Sequence, residues 1–210
     1  PTTDAYNQKI KLLISSGDLP DIVFNGGNNI INLAVESGKV QDLTSYFEED
    51  PEWKAQFDES SLEFNSVDGK IYGVPVSKEI SYIYYNKDLF EQAGLEAPDV
   101  AYETWDDFFK ACDTLKEKGI TPLGMDTADL GWLTNLWYSG LIGTAGDTGN
   151  EFMNAMYPTD YNTPEVEKAT TDLQKMLAEY TTADAVGGKY DTMATHFFNS
   201  EVAMLSLIHI

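Results

Sequence analysis

The sequence predicts an α/β fold of two lobes joined by a crossing strand, and three observations lead to that prediction. Residues 6–38 alternate a helical pattern, a short apolar run and a second helical pattern. After a break at 77–81, an apolar run at 82–86 starts the same kind of unit again. Just before that break, the Asp-Gly pair within 67–70 predicts a two-residue β-hairpin.

In the first lobe, helices that end at glycines flank a short strand. Residues 6–16 place apolar side chains on one helical face, and Gly17 follows at the position that a helix-ending glycine takes. Residues 22–24 are predicted to form a buried parallel strand, because they are a short and continuous apolar run. A loop at 25–29 and a helix at 30–37 complete the α-β-α pattern.

The rest of the first lobe carries weaker signals. Short helices are expected around Trp53 and Leu62, and the hairpin should lead into a strand over 71–76. Pro75 lacks the amide hydrogen that a sheet ladder needs, so it marks the end or the edge of that strand. We place the first lobe, including its hinge, at residues 1–81.

The second lobe begins with a predicted buried strand that runs into a helix ending at Gly94. Thr104 and Asp107 have the spacing of a capping box, which predicts a helix over residues 105–118. We place this lobe at residues 82–200. The remaining elements are expected as a strand at 121–125, helices at 130–142, 164–180 and 190–199, and a terminal strand from 202.

The charge of the chain limits its partners. Its 13 basic and 35 acidic residues give a net charge of −22. Such a surface repels nucleic acid and anionic lipid, so neither is expected as a partner, and it favours a monomer. It suits a secreted setting, although cytosolic proteins of halophiles are also acidic. Cys112 is the only cysteine and is expected to be a buried, inert thiol.

The sequence offers little for catalysis or metal binding. His196, next to two phenylalanines, is expected to be a packed or surface side chain, and His209 lies in the terminal strand. Zinc needs several His or Cys ligands and no stretch matches an EF-hand loop, so neither a metal nor a cofactor is expected. A glycoside hydrolase stays open, because nothing among the 35 acidic residues singles out or excludes a catalytic pair.

Two polar positions are candidates for ligand contact. Asn25 and Asn28 lie in a glycine-containing loop after the first predicted strand, where open α/β sheets bind ligands. A plain polar loop is the other reading. Glu79 lies at the hinge between two predicted strands and would face a cleft by topology. The alternative is a surface acid that pairs with Lys78 or Lys87.

Aromatic side chains stack on the apolar faces of sugars, and two are candidates here. Tyr82 starts the second lobe, and Trp132 follows the polar loop 126–129 at the start of a helix. The other tryptophans are expected to serve packing.

Five segments follow one another in a recognisable order: KLLISSGDLPDIVF, DGKIYGVPVS, YIYYNKDLFEQAGL, TWDDFFKACDTLKEKG and FFNSEVAML. This ordered set resembles the extracellular solute-binding proteins that feed ABC-type importers, the group that includes the maltose-binding protein. The resemblance covers nearly the whole chain.

This resemblance implies a periplasmic-binding-protein-like fold of type II, truncated at both ends, with a solute between the lobes. It places Glu79 on a cleft acid that bonds sugar hydroxyls, Asn28 on a polar sugar-contacting position and Trp132 near an aromatic patch. The returning strand at 201–210 departs from the family pattern after Leu205, so we expect it to be cut short, with an end that need not be native.

The function implied is that of an extracytoplasmic, lipid-anchored binding component of an ABC importer. It would hold a sugar or oligosaccharide by hinge closure, dock on permease subunits and catalyse nothing. A secreted carbohydrate-active hydrolase and a binder of an amino acid, peptide, polyamine or metal remain as alternatives.

Overall fold

The computed structural model describes residues 3–24, 30–77, 80–96, 102–128, 131–155 and 158–207. The chain folds as two compact units, Pro1–Lys78 and Glu79–Ile210. The helices of the first unit are α1 Thr3–Ser16, α2 Ile30–Glu36, α3 Thr44–Glu49, α4 Pro51–Lys54 and α5 Glu59–Phe64, and its strands are β1 Ser66–Val67 and β2 Lys70–Ile71.

The second unit has longer elements. Its strands are β3 Tyr82–Tyr85, β4 Thr121–Gly124 and β5 Val202–Leu207. Its helices are α6 Lys87–Ala93, α7 Trp105–Glu117, α8 Trp132–Gly143, α9 Gly146–Asn154, α10 Pro164–Glu179 and α11 Tyr190–Phe198. In the described ranges, no helix is both long and apolar enough to cross a membrane.

The predicted helices of the first unit are confirmed. On α1, Ile10 and Ile14 are buried against Ile30 and Ala34 of α2, as the helical periodicity requires. Gly17 ends α1 with a φ of 77°, a left-handed conformation that favours glycine. The short helices around Trp53 and Leu62 are also present, as α4 and α5.

The strand predicted at residues 22–24 is wrong. These residues are irregular, and the side chain of Ile22 is 89% exposed. The backbone of Phe24 instead exchanges hydrogen bonds with the hydroxyl of Tyr6, its N–H donating at 3.0 Å and its carbonyl accepting at 2.7 Å. A strand needs a neighbouring strand for its backbone, and no described strand pairs with this run.

The hairpin is confirmed, with Asp68 and Gly69 at φ values of 51° and 75°, as a type I′ turn requires. The strand predicted over 71–76 ends at Ile71. The Tyr72 amide still donates to the Asn65 carbonyl at 2.9 Å, but the chain is irregular from there on. No described strand lies beside it to continue the ladder.

The sheet of the second unit has the order β3-β5-β4 in the described residues. The last strand of the chain is therefore its central one, antiparallel to β3 and parallel to β4. Val202 to Leu205 are buried for this reason. The strand predicted as buried at 82–86 is instead an outer strand, with Tyr82 and Ile83 exposed.

The helix α7 anchors the core of this unit, as its sequence predicts. The Thr104 hydroxyl accepts a hydrogen bond from the Asp107 amide at 3.1 Å and donates one to the Asp107 carboxylate at 2.8 Å. Burial raises the pKa of the Cys112 thiol, as expected for an inert side chain. The buried stripe consists of Phe108, Phe109, Cys112 and Leu115.

Candidate functional site

One edge of the sheet in the second unit gathers the polar loops that leave its parallel strands. β4 and β5 are parallel, and Gly124 at the end of β4 pairs with Leu205. β3 runs the other way, so its first residue, Tyr82, pairs with Leu207 at the end of β5. Tyr82 and the loop after β4 therefore lie at the same edge, which is the carboxyl edge of the parallel strands and the usual ligand side of an open α/β sheet.

A buried carboxylate starts the loop after β4. Asp126 is fully buried, and its Oδ1 accepts hydrogen bonds from the amides of Leu133 at 2.8 Å and Thr134 at 3.4 Å. The Thr134 hydroxyl donates to the Asp126 carbonyl. Oδ2 of Asp126 has no partner in the part of the chain that the structure describes. Burial raises the pKa of this carboxyl, and the backbone hydrogen bonds at the start of α8 oppose that rise.

The start of α8 brings a tryptophan to the surface at this edge. Gly131 takes a left-handed conformation with a φ of 59°, which turns the chain from the loop into the helix. The next residue, Trp132, is 45% exposed, whereas Leu133 is fully buried against Met193 and Leu205. The helix is thus fixed through Leu133 while the indole of Trp132 stays accessible to a ligand.

A second loop is tied to the first by four hydrogen bonds. The Thr127 hydroxyl donates to the Ala185 carbonyl at 3.2 Å and accepts from the Gly187 amide at 2.7 Å. The amides of Thr127 and Ala128 both donate to the Gly188 carbonyl, at 3.2 and 2.9 Å. The loop 185–188 leads into α11, so two helices begin next to the same edge.

Of the five predicted ligand contacts, the structure describes two. Tyr82 is 54% exposed, and it shares the carboxyl edge with the loop that leads to Trp132. Asn25, Asn28 and Glu79 lie outside the described residues. The aromatic pair is therefore the part of the predicted site for which the structure gives a position.

The other tryptophans pack as predicted. Trp137 is buried in the core, and Trp53 stacks on Phe47 with ring centroids 4.3 Å apart. The Trp105 indole donates to the Thr144 hydroxyl at 2.7 Å and packs against the core.

His196 has partners that the sequence did not indicate. Its Nε2 lies 3.0 Å from Oδ2 of Asp184, and its Nδ1 contacts the Glu201 carboxylate. These hydrogen bonds, the one with Asp184 first, raise the pKa of His196. In the described ranges, no group of three or more His, Cys, Asp or Glu side chains is arranged to hold a metal ion.

Sequence reasoning missed Asp126 and Thr127 as parts of this edge. Both lie in the polar loop 126–129 between a predicted strand and a predicted helix, a position that does not distinguish them from ordinary surface-loop residues. What the sequence lacked was the partner of each side chain. One lies seven or eight residues ahead, and the other lies about 60 residues ahead in the loop 185–188.

Comparisons with known proteins identify the family of the chain. Residues 2–207 match the family model of the bacterial extracellular solute-binding proteins. A putative binding protein of Brucella abortus is 28% identical over 183 residues, which are 87% of this chain and 42% of that protein. The multiple sugar-binding protein of Streptococcus mutans is 33% identical over 102 residues, which are 47% of this chain and 23% of that protein.

Solved structures are similar over almost the whole chain. A chitin oligosaccharide binding protein superimposes with a TM-score of 0.70 and 29% identity, over 96% of this chain and 49% of its own. An ABC substrate-binding protein from Listeria monocytogenes, solved with cycloalternan, gives a TM-score of 0.66 and 25% identity, over 98% and 52%. The chain thus spans about half the length of such relatives. The predicted two-lobe α/β fold is confirmed, and the chain belongs to the bacterial extracellular solute-binding protein family.

Proposed function

We propose that the chain is part of the extracytoplasmic solute-binding component of an ABC importer, and that its solute is a sugar or an oligosaccharide. The observation that carries this proposal is the exposed indole of Trp132 at the carboxyl edge of the sheet, in a chain of this family. An accessible aromatic ring suits the apolar face of a pyranose. Relatives named as multiple sugar-binding, lactose-binding and chitin oligosaccharide binding proteins support the choice of solute.

The proposed ligand contacts come from both lobes. Trp132 and Tyr82 would stack on the sugar, and Glu79 would accept hydrogen bonds from its hydroxyls. Asn25 and Asn28 would supply amide donors and acceptors from the first lobe. We assign the lobes to residues 1–81 and 82–200, and the returning strand from 201 supplies β5, the central strand of the sheet in the second unit.

The proposed mechanism is hinge closure. A solute that bonds both lobes only in the closed state shifts the open–closed equilibrium by its differential affinity for the two states. The closed monomer would then dock on the permease subunits. A lipid anchor would hold the protein at the cell surface, and similarity to the lipoprotein LipO of Bacillus subtilis, 29% identical over 125 residues, supports that location.

We propose binding without catalysis. A carbohydrate-active hydrolase would need two carboxylates that face each other across a sugar, one of them with a raised pKa. Asp126 has a raised pKa, but its buried carboxylate is bonded to the start of α8. It therefore has the geometry of a helix cap and not that of an acid exposed to a glycosidic oxygen.

A thermal-shift screen tests the proposal. It is run on this chain and on the complete product of its gene, because the relatives are about twice as long. The panel holds mono- and oligosaccharides, amino acids, peptides, polyamines, divalent metals and glycerol 3-phosphate. A solute well above its dissociation constant raises the melting temperature by mass action.

We expect a shift with one class of sugar, and we expect Trp132→Ala to reduce it clearly. A response to an amino acid or a polyamine, with silence across all sugars, would contradict the sugar assignment. Turnover of a glycoside by the wild-type protein would contradict the absence of catalysis.

A further inference from the structure

We infer that Asp126 and Thr127 are positioning residues, which hold the start of α8 in place so that Trp132 is presented to the solute in a fixed orientation. This inference rests on the proposed function, because it concerns how the same edge binds. It goes beyond that function in assigning roles to two side chains that need not touch the solute themselves.

The first set of hydrogen bonds links the end of β4 to the start of α8. Asp126 lies two residues after Gly124, the last residue of β4, and its Oδ1 accepts hydrogen bonds from the amides of Leu133 and Thr134. An ordinary cap, such as Thr104 on α7 or Thr163 on α10, bonds an amide three residues ahead. Asp126 reaches seven and eight residues ahead, so it fixes α8 to the sheet as well as capping it.

The second set of hydrogen bonds links the same loop to the loop that precedes α11. The hydroxyl of Thr127 both donates to and accepts from the loop 185–188, and its amide donates to the Gly188 carbonyl. That loop enters α11, whose Met193 is buried against Leu133 of α8. Hydrogen bonds and packing therefore connect β4, the two loops, α8 and α11 to one another.

These contacts matter for binding because Trp132 lies at the helix start that they hold. Trp132 is 45% exposed, so packing alone does not hold it as packing holds Leu133. A stacking platform that is disordered before binding loses part of its affinity when it becomes ordered. If the helix start that carries Trp132 is already rigid, part of the free-energy cost of ordering the indole is met before the solute binds.

The second carboxylate oxygen of Asp126, Oδ2, is buried without a partner in the described residues, and this indicates that Asp126 does more than stabilise the fold. A buried oxygen with no partner in the described residues is costly, and a neutral, fully bonded residue would be the better choice for the fold alone. The carboxylate is explained if the strength of its bonds to the helix start matters for function, because charge-assisted hydrogen bonds are the stronger ones.

The experiment compares matched variants by two readouts. Asp126→Ala and Thr127→Val remove the side-chain hydrogen bonds of the two residues, whereas Asp126→Asn and Thr127→Ser keep an oxygen at each position. Thr127→Val leaves the backbone bonds to Gly188 in place, so it should fold even where Asp126→Ala does not. Thr163→Ala is the control, because it removes the cap of a helix in the same unit without touching this edge.

The first readout is the set of tryptophan indole N–H signals in ¹⁵N–¹H NMR spectra, recorded without solute. Asp126→Ala and Thr127→Val should shift or broaden the signal of Trp132 and leave that of Trp105 in place. An unchanged Trp132 signal in both variants would overturn the inference, whether or not the protein binds a sugar.

The second readout is the dissociation constant for the sugar found in the screen. We expect both variants to weaken binding about five- to tenfold. Thr127→Ser should recover most of the loss, and Asp126→Asn only part of it, because its neutral oxygen makes weaker hydrogen bonds than a carboxylate. Thr163→Ala should lower the melting temperature and leave the dissociation constant within about twofold. Equal weakening by Thr163→Ala would overturn the inference. Failure of the wild-type protein to bind any sugar would sink the proposed function, while the NMR readout would still decide the positioning role.

Discussion

Apolar side chains in the first unit are spread over small clusters, whereas most of those in the second unit join one large core. Among the described residues of the first unit, the largest cluster lies around α1 and has four buried residues, and Leu12, Ile22 and Phe24 are more than half exposed. In the second unit, α7, α8, α10 and the strands β4 and β5 share a single core.

The difference shows which sequence signals depend on distant partners. Glycine-terminated helices, a capping box and a type I′ hairpin formed in whichever unit they occur, because their bonds are local. Strands formed only where another strand was available. The apolar run 22–24 has no described neighbour and is irregular, while the run 202–207 has one on each side and is central.

The largest expected effect contrasts two leucines that both lie in helices. Leu115 is fully buried on α7, and Leu12 is 61% exposed on α1. We expect Leu115→Ala to lower the free energy of unfolding by about 2–5 kcal/mol, because it leaves a cavity in the core. Leu12→Ala should change it by less than about 0.5 kcal/mol. Urea unfolding followed by circular dichroism measures both, and similar losses would break the comparison.

The next effect tests whether local signals act alike in both units. Thr104 caps α7 in the second unit, and Asp50 caps α4 in the first, where Oδ1 accepts from the Trp53 amide at 2.9 Å. We expect Thr104→Ala and Asp50→Ala each to cost about 1 kcal/mol, since one amide loses its partner in each case. Thr104→Ser should restore the melting temperature. If only one of the two alanine variants is destabilised, local capping does not act independently of the unit around it.

The smallest effect concerns pH. The carboxylates of Asp184 and Glu201 raise the pKa of His196 above its ordinary value of 6.5. Protonated His196 therefore stabilises the fold below pH 6.5, and the stabilisation is lost as the pH rises through the folded-state pKa. Hydrogen bonds from Thr182 and then His196 lower the pKa of Asp184, so the contribution of that carboxylate is lost only as the pH falls through that low value.

We therefore expect His196→Gln to be destabilised near pH 5.5 and to match the wild type near pH 9. The difference should stay below about 1 kcal/mol, because both carboxylates are about half exposed. Urea midpoints at the two pH values measure it. A larger loss at pH 9 would contradict the sign.

The elements of the fold were predictable where their bonds are local. Thr104 with Asp107 located the start of α7 from sequence alone, and the helix expected from residue 164 begins there as α10. The sheet order was not predictable, because the pairing of β3 with β5 joins residues more than 100 positions apart along the chain. Only the folded chain shows that its last strand is the central one.

The site was predictable in part for the same reason. Trp132 could be identified as a candidate because a polar loop and an apolar helix flank it. Asp126 and Thr127 could not, because an acid and a threonine after a strand are common in surface loops. Their roles follow from bonds to Leu133 and to the loop 185–188, which come into reach only after β4, α8 and α11 are packed.

The most direct test of the central claim is isothermal titration of the sugar found by screening into the wild-type protein and two alanine variants. Trp132→Ala removes the exposed aromatic side chain at the carboxyl edge. Phe198→Ala removes an aromatic side chain of a residue that is 75% exposed at the end of α11. Phe198 comes just before the start of β5, so it lies at the edge of the sheet opposite to the carboxyl edge. We predict at least about a tenfold loss of affinity for the first variant, as expected for a lost stacking contact, and no change for the second. Equal affinities for Trp132→Ala and the wild type would contradict a solute site at this edge.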